Sequence, residues 1–201
     1  MKTFIYLASQ SPRRAQLLEQ IGVRFKLLLP DANEDAEAIE RVLPNEMPAR
    51  YVQRVTQLKL DAAALRMKHQ GLPPAPILCA DTTVVLGTKI LGKPQNATDA
   101  VRMLTFLAGQ THRVLTAVSV RSGRTSAQVL SQSRVTFAPM SRSMILAYVK
   151  SGEPMGKAGA YAVQGRAAVF VSRISGSYSG IMGLPVYETS KILQDFKIKI
   201  T

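Results

Sequence analysis

The sequence has 201 residues, of which 46% are hydrophobic and 19% charged, a composition typical of globular proteins that excludes a disordered chain. Its apolar runs are far shorter than the roughly 18 residues of a membrane-spanning helix, so a soluble, unexported protein is expected. The net charge of +13 predicts an anionic partner, for which a small phosphate ligand fits as well as nucleic acid. The single cysteine, Cys79, excludes an intrachain disulfide and fits a reducing compartment.

The start of the chain predicts a strand that leads into a helix through a short polar turn. An apolar run over 4–8 has strand composition, and Ser11 can cap a helix over 12–21. Arg13 and Arg14 stand in the first turn, where the helix dipole disfavours a cation by roughly 0.3–1 kcal/mol. An anion bound at the helix N-terminus would explain both arginines. The alternative is that they simply point into water.

An acidic stretch follows a short predicted strand over 25–29. Hard divalent cations prefer carboxylate oxygens, so this stretch is a candidate metal site; the alternative is a solvated surface loop. The acidic residues are Asp31, Glu34, Asp35, Glu37, Glu40 and, slightly later, Glu46.

The next element is a long helix over 48–68, which stops before a stretch rich in glycine and proline. Lys59 lies at the edge of its apolar stripe and can reach inward, or can snorkel at the boundary of the core. The stripe expected to face the core consists of Val52, Val55, Leu58, Ala62 and Leu65.

A central strand is predicted over 77–86, where the apolar and β-branched run is interrupted by Asp81. An unpaired buried carboxylate is costly, so Asp81 should be hydrogen-bonded, metal-bound or shifted in pKa. The alternative is an aspartate that fixes a loop at the end of the strand. Cys79 is interpreted as a small core side chain.

The second half of the chain adds further helices and a hairpin. Met144, Ile145, Tyr148 and Val149 are expected to face inward from one of these helices. Helices alternating with strands, together with one antiparallel hairpin, predict an α/β protein with a mixed sheet. The predicted elements are a strand over 90–91, a helix over 97–108 capped by Asn96, hairpin strands over 111–122 and 127–137, a helix capped by Ser141 that reaches 150, an irregular segment over 153–165, a buried strand over 167–174, a flexible loop over 175–180 and a last helix over 185–196.

No P-loop motif and no zinc-spaced Cys/His set is present. The remaining signals are cations that suit phosphate and carboxylates that suit metal ions. Five motifs, in order along nearly the whole chain, resemble the Maf family of nucleoside triphosphate pyrophosphatases. They are Leu-Ala-Ser-Gln-Ser-Pro-Arg-Arg at 7–14, Ala-Asp-Thr-Thr-Val-Val at 80–85, Gly-Lys-Pro at 92–94, Lys-Ala-Gly-Ala-Tyr-Ala-Val-Gln-Gly at 157–165 and Gly-Leu-Pro at 183–185.

This resemblance implies a single domain over 1–201, with a mixed β-sheet, flanking helices and two lobes around a cleft, as in inosine triphosphate pyrophosphatase. Enzymes of this family are cytoplasmic and often dimeric, so a homodimer is an expectation. They hydrolyse a nucleoside triphosphate to the monophosphate and pyrophosphate with a divalent metal, here Mg²⁺ or Mn²⁺. Neither a nucleic acid nor a membrane is expected as a partner.

The resemblance also assigns the reacting groups. It makes Asp81 the proton acceptor that activates water and a metal ligand. Glu34, at the matching point after the second strand, would help to hold the metal. Lys59 and Lys93 would stabilise the charge that builds up on the phosphates.

The remaining assignments concern the substrate. Ser9, Arg13 and Arg14 would hold the phosphates. Arg13, Thr82 and Gln164 match positions associated with the branch that acts on dTTP and UTP, possible modified pyrimidine nucleotides included. A glutamine amide can pair with the carbonyl and N–H edge of a pyrimidine.

Three alternatives remain at this level. One is the family's branch that acts on 7-methyl-GTP. The others are a non-enzymatic nucleic-acid-binding protein, suggested by the charge, and a regulator of septum formation, the association behind the family's name. One departure from the family pattern is Gln10, which stands where relatives often have glycine.

Overall fold

The computed structural model describes residues 4–30, 34 and 38–200, and within them seven strands form one mixed sheet. Of the acidic stretch, Asp31, Asp35 and Glu37 lie outside the described residues. The strands are β1 (Ile5–Leu7), β2 (Phe25–Leu27), β3 (Ile77–Leu86), β4 (Lys89–Leu91), β5 (Thr111–Ser122), β6 (Thr125–Phe137) and β7 (Val171–Ser175).

The strand order is β2-β1-β3-β5-β6-β7, and β4 pairs with β3 beside this path. β1 runs parallel to both β2 and β3, whereas the other pairs are antiparallel. Parallel neighbours need a crossover, and helices supply it between β1 and β2 and between β2 and β3. The predicted α/β class with a mixed sheet is therefore confirmed.

The described residues contain six α-helices, none of which is long and apolar enough to cross a bilayer. Short 3₁₀ turns are formed by Ala38–Glu40, Ala158–Ala160 and Arg166–Phe170. The α-helices are α1 (Pro12–Gln20), α2 (Pro48–His69), α3 (Ala97–Leu107), α4 (Arg142–Lys150), α5 (Tyr178–Met182) and α6 (Val186–Asp195).

The helix signals of the sequence match these elements closely. Asn96 and Ser141 cap α3 and α4, since each side chain accepts a hydrogen bond from a backbone N–H in the first turn. Ser11 stands at the N-cap of α1 but makes no side-chain cap hydrogen bond. Pro12 has no N–H to satisfy, and the N–H of Arg14 donates to the carbonyl of Ser11 instead.

Two large groups of buried side chains form most of the core. Leu104, Phe137 and Tyr148 belong to the group under α3 and α4. Leu18 and Leu193 belong to the group that packs α1 and α6 against the sheet. Burying a side chain of this size contributes about 1.5–3 kcal/mol, so both groups fix the positions of the loops between them.

The buried face of α2 differs from the prediction. Val52 and Val55 are buried as expected, but Leu58 and Leu65 are 40% and 58% exposed. Lys59 was expected only at the edge of the stripe and Arg66 was not expected on it, so the predicted stripe was placed about one position away from the true one. The buried and half-buried face carries Val52, Val55, Thr56, Lys59, Leu60, Ala63 and Arg66, which recur at helical spacing.

Two further predictions in the second half were wrong in detail. The first part of the strand predicted over 167–174 is the 3₁₀ turn Arg166–Phe170, in which Ala167 and Phe170 are buried three residues apart. The rest is β7, a mostly exposed edge strand rather than a buried one. The predicted loop over 175–180 contains the start of α5.

Two further details, in α5 and in α4, differ from the prediction. Ser177 caps α5 by accepting a hydrogen bond from the N–H of Gly180. The surrounding serine and glycine residues are typical of a loop, so the sequence did not indicate this cap. Met144 is 45% exposed rather than inward, whereas Ile145 and Tyr148 are buried as predicted. The first turn of α4 lies at the surface, so only the residues nearer its centre reach the core.

Candidate active site

A cleft with a cavity volume of about 780 Å³ lies at the centre of the molecule. Its walls come from the loop after β1, the middle of β3, the 3₁₀ turn Ala38–Glu40, one face of α2, the irregular segment 156–164 and the end of α5. This volume is in the range of small-molecule sites. All nine residues that the sequence assigned to the site line this cleft, as do Glu40, Arg66 and Lys157, to which it assigned no individual role.

Arg14 joins three segments of the cleft wall. Its Nε donates to the carbonyl of Gly183 at 2.8 Å, Nη1 donates to Oγ of Ser9 at 3.0 Å, and Nη2 donates to Oγ1 of Thr82 at 3.2 Å. Burial lowers the pKa of Arg14, and the charge of Asp81 opposes the shift. The guanidinium therefore fixes the loop after β1 to β3 and α5, and it does not point into open water.

Arg13 lies beside it on the same wall. Its Nε donates to the carbonyl of Met182 at 3.3 Å, and burial lowers its pKa. The hydroxyl of Ser9 accepts a second hydrogen bond from the N–H of Ser11 at 3.2 Å. Both guanidinium groups line the cleft, and two neighbouring arginines suit an anionic ligand.

Asp81 and Lys59 form an ion pair that also lines the cleft. Asp81 lies within β3 and is 9% exposed, and Lys59 Nζ donates to its Oδ1 at 2.6 Å. The same ammonium donates to Oε1 of Glu40 at 2.7 Å. Burial alone would lower the pKa of Lys59, but Asp81 and Glu40 outweigh it and raise the pKa. Lys59 is therefore a cation shared by two carboxylates.

Glu40 is the site residue that sequence reasoning missed. Lys93 Nζ donates to its Oε2 at 3.0 Å, so one carboxylate bridges two lysines. Burial would raise the pKa of Glu40, but Lys59 and Lys93 outweigh it and hold the pKa below its usual value. Its only signal was membership of the acidic stretch, which did not single it out.

Glu34 lines the cleft and is held by Arg66. Nε of Arg66 donates to Oε1 at 2.6 Å, and Nη2 makes a short hydrogen bond to Oε2. Arg66 is 6% exposed and also donates to the carbonyl of Leu28 at 2.9 Å. This bidentate pair orients the carboxylate assigned to the metal by resemblance, and that assignment stays a prediction.

The donor set fits a metal ion that arrives with a substrate phosphate. Among residues 4–30, 34 and 38–200, no three His, Cys, Asp or Glu side chains are grouped to hold a metal. Mg²⁺ usually keeps several waters and takes one or two carboxylates together with phosphate oxygens, so it needs no such group. Within the same described residues, Oδ2 of Asp81 makes no hydrogen bond, so this oxygen is available to bind a metal ion.

Thr82 and Gln164 both line the cleft. Thr82 Oγ1 is 3.0 Å from Oγ1 of Thr116, which donates to the carbonyl of Gly180 at 2.7 Å. Gln164 lines the cleft with an exposed side chain. Thr82 is thus held by a buried chain of hydrogen bonds, whereas the amide of Gln164 faces a ligand or solvent.

Lys157 is a further cation that the sequence left without a role, although it opens the motif at 157–165. It donates a short hydrogen bond to the carbonyl of Glu153. Burial lowers the pKa of Lys157, and the charge of Arg13 lowers it further. Two neighbouring cations on one rim favour an anionic ligand between them.

Comparisons of the sequence with known proteins identify its family. The sequence model of a family described as "Maf-like protein" matches residues 4–196. The chain belongs to the Maf family. It is 66% identical over 200 residues to the dTTP/UTP pyrophosphatase of Albidiferax ferrireducens, with 100% of both chains covered. A dTTP/UTP pyrophosphatase from a Polaromonas species is 66% identical, with 98% of both chains covered. One from Cupriavidus metallidurans is 60% identical, with 97% of this chain and 98% of its own covered.

Proposed function

We propose that this Maf protein is a nucleoside triphosphate pyrophosphatase that hydrolyses dTTP and UTP to the monophosphate and pyrophosphate. The observation that carries the proposal is one cleft that unites the carboxylate of Asp81 with Arg14, Lys59 and Lys93. Relatives of nearly equal length that are named dTTP/UTP pyrophosphatase support the same substrates.

Asp81 is the general base of this proposal. Lys59 donates a hydrogen bond to Oδ1, and the carboxylate accepts the proton of the attacking water. The water oxygen forms a bond to the α-phosphorus, and the bond from that phosphorus to the bridging oxygen of the β-phosphate breaks. Pyrophosphate leaves with the electron pair of this bond. Arg13, Lys59 and Lys93 neutralise the negative charge on the phosphates.

Asp81 and Glu34 would hold the divalent ion, Mg²⁺ or Mn²⁺. When bound, this ion supplies Lewis-acid polarisation of the phosphate. Arg66 orients Glu34, which lines the cleft, through two hydrogen bonds. Ser9 lies beneath Arg14 and supports the phosphate-binding loop.

The preference for a pyrimidine follows from the rim of the cleft. The amide of Gln164 offers both a donor and an acceptor, which suits the adjacent carbonyl and N–H of thymine or uracil. Thr82, held by Thr116, forms another part of the cleft wall. The larger, positively charged base of 7-methyl-GTP is disfavoured by the charges of Arg13 and Lys157 on this rim.

The proposal also includes a cytoplasmic location and a homodimer. A single cysteine, buried at 0% exposure, fits the reducing cytoplasm. The dimer is supported only by the resemblance to a family whose members are often dimeric. Light scattering of the purified protein tests it.

The experiment is a panel of nucleoside triphosphates with Mg²⁺ or Mn²⁺, scored for pyrophosphate release. We expect dTTP and UTP to be turned over faster than 7-methyl-GTP and the purine nucleotides. A protein that bound DNA or RNA tightly and salt-sensitively, and hydrolysed no free nucleotide, would support the nucleic-acid alternative instead. Absence of both properties would favour a regulatory protein.

A further inference from the structure

Glu40 lies between the two lysines that are expected to receive phosphates. Its Oε1 accepts from Lys59 at 2.7 Å and its Oε2 accepts from Lys93 at 3.0 Å. All three side chains line the cleft. A carboxylate that accepts from two ammonium groups uses the same donors that a phosphate would use.

The two lysines depend on Glu40 to different degrees. Lys59 has a second acidic partner, Asp81, and its side chain is 22% exposed. Lys93 is 57% exposed, and within the part of the chain that the structure describes its one ion pair is with Glu40. A phosphate that binds Lys93 therefore competes with the carboxylate of Glu40 for the charge and the N–H donors of this lysine.

The backbone of Glu40 is fixed, so only its side chain needs to move. The hydroxyl of Tyr51 donates to the carbonyl of Glu40 at 2.9 Å. The residue also ends the 3₁₀ turn Ala38–Glu40, which packs against α2. Rotation of one side chain takes nanoseconds and would clear the space between the ammonium groups.

We propose that Glu40 is a positioning residue that acts as an internal counter-ion. It holds Lys59 and Lys93 in place while the cleft is empty and competes with phosphate for them. Glu40 thereby lowers the affinity for pyrophosphate, which favours release of that product. This inference rests on the proposed function, because it assigns Lys59 and Lys93 to the phosphates of the nucleotide.

The test is calorimetric titration of inorganic pyrophosphate, without a divalent metal, into the full-length protein and its Glu40→Gln variant. The variant keeps the shape of the side chain and loses its charge. Partly exposed ion pairs are worth up to about 1 kcal/mol, so we expect binding to be about threefold to fivefold tighter in the variant. A purely structural role would not produce this gain, since loss of structure weakens binding.

Glu46→Gln is the matched control. Glu46 belongs to the same acidic part of the chain and pairs with Arg54 at 2.5 Å, and neither residue lines the cleft. The control removes the same charge outside the site, and its pyrophosphate affinity should equal that of the wild type. Equal tightening in both variants would show a general charge effect and overturn the proposal.

Glu40→Asp keeps the test decisive if Glu40→Gln does not fold. Aspartate keeps the charge but is one methylene shorter, so it cannot reach both lysines, and its affinity should lie between those of the wild type and the glutamine variant. Unchanged or weaker binding in the folded variants, or no pyrophosphate binding by any protein, would overturn the inference. Failure of wild-type hydrolysis with this affinity pattern intact would contradict only the proposed function.

Discussion

The ammonium group of Lys59 lies 2.6 Å from Oδ1 of Asp81, and this ion pair sits on the cleft side of β3. Because the ammonium donates to one oxygen, the orientation of the carboxylate is fixed. The proposed function makes this carboxylate the proton acceptor. This relationship connects the buried acid of the central strand to the chemistry proposed here.

Replacement of Asp81 by asparagine should lower pyrophosphate release from dTTP by at least about 100-fold, since a positioned general base contributes roughly that much or more. The melting temperature should change by only a few degrees, because asparagine still accepts a hydrogen bond from Lys59. Asp61→Asn is the control, as Asp61 pairs with Arg121 at 2.6 Å and does not line the cleft. Turnover of dTTP by Asp81→Asn at the wild-type rate would refute the base assignment.

Replacement of Arg14 by lysine should weaken both substrate binding and folding. A lysine cannot serve Gly183, Ser9 and Thr82 in the fork geometry that the guanidinium provides. We expect KM for dTTP to rise and the free energy of unfolding to fall by about 1–3 kcal/mol, as measured in urea. Arg13→Lys, which loses one hydrogen bond to Met182, should destabilise the protein less. Equal stability losses would contradict this account of Arg14.

The buried pair of His112 and Tyr161 should make stability depend on pH. Nε2 of His112 is 2.8 Å from the hydroxyl of Tyr161, and burial lowers the pKa of His112 to about 4 from 6.5. The unfolded chain therefore binds more protons between pH 6.5 and 4, so this stabilisation is present above pH 6.5 and is lost as the pH falls toward 4.

Urea unfolding at pH 7 and pH 5 measures this effect. The wild type should lose about 2 kcal/mol more than His112→Gln over that interval, because glutamine does not titrate. His69→Gln is the control, since His69 is exposed and should leave the pH dependence unchanged. A parallel pH dependence in the wild type and His112→Gln would show that His112 is not responsible.

Gly159 is required inside the 3₁₀ turn Ala158–Ala160, beside residues that line the cleft. Its φ is +67°, and an added Cβ would lie 2.9 Å from the side chain of Val84. Gly87 has a similar φ of +61° but no atom within 4 Å of such a Cβ. Gly159→Ala should therefore cost about 1–3 kcal/mol more in the free energy of unfolding than Gly87→Ala. Equal costs would mean that backbone strain alone matters at both positions.

The sequence predicted the sheet better than the details of its helices. β3 and β5 begin and end where the apolar and alternating patterns do, because central strands are defined by continuous burial. The inward face of α2 was misjudged because Lys59 and Arg66 lie on it. Their acidic partners, Glu34, Glu40 and Asp81, lie in other segments of the chain, and no local pattern reveals such pairing.

The candidate site shows the same limit. Resemblance to the family identified the residues that line the cleft, and Asp81 was also indicated by its place in an apolar strand. Glu40 was missed because an acidic run does not reveal which member meets the lysines once the chain is folded. The 3₁₀ turn Arg166–Phe170 was missed because short apolar runs suit a strand and a turn equally.

The most direct test of the central claim identifies the products of dTTP hydrolysis by ³¹P NMR in the presence of Mg²⁺. The account predicts dTMP and pyrophosphate in equal amounts, and faster turnover of dTTP than of 7-methyl-GTP under the same conditions. Release of dTDP and orthophosphate, or no hydrolysis of dTTP, would contradict it.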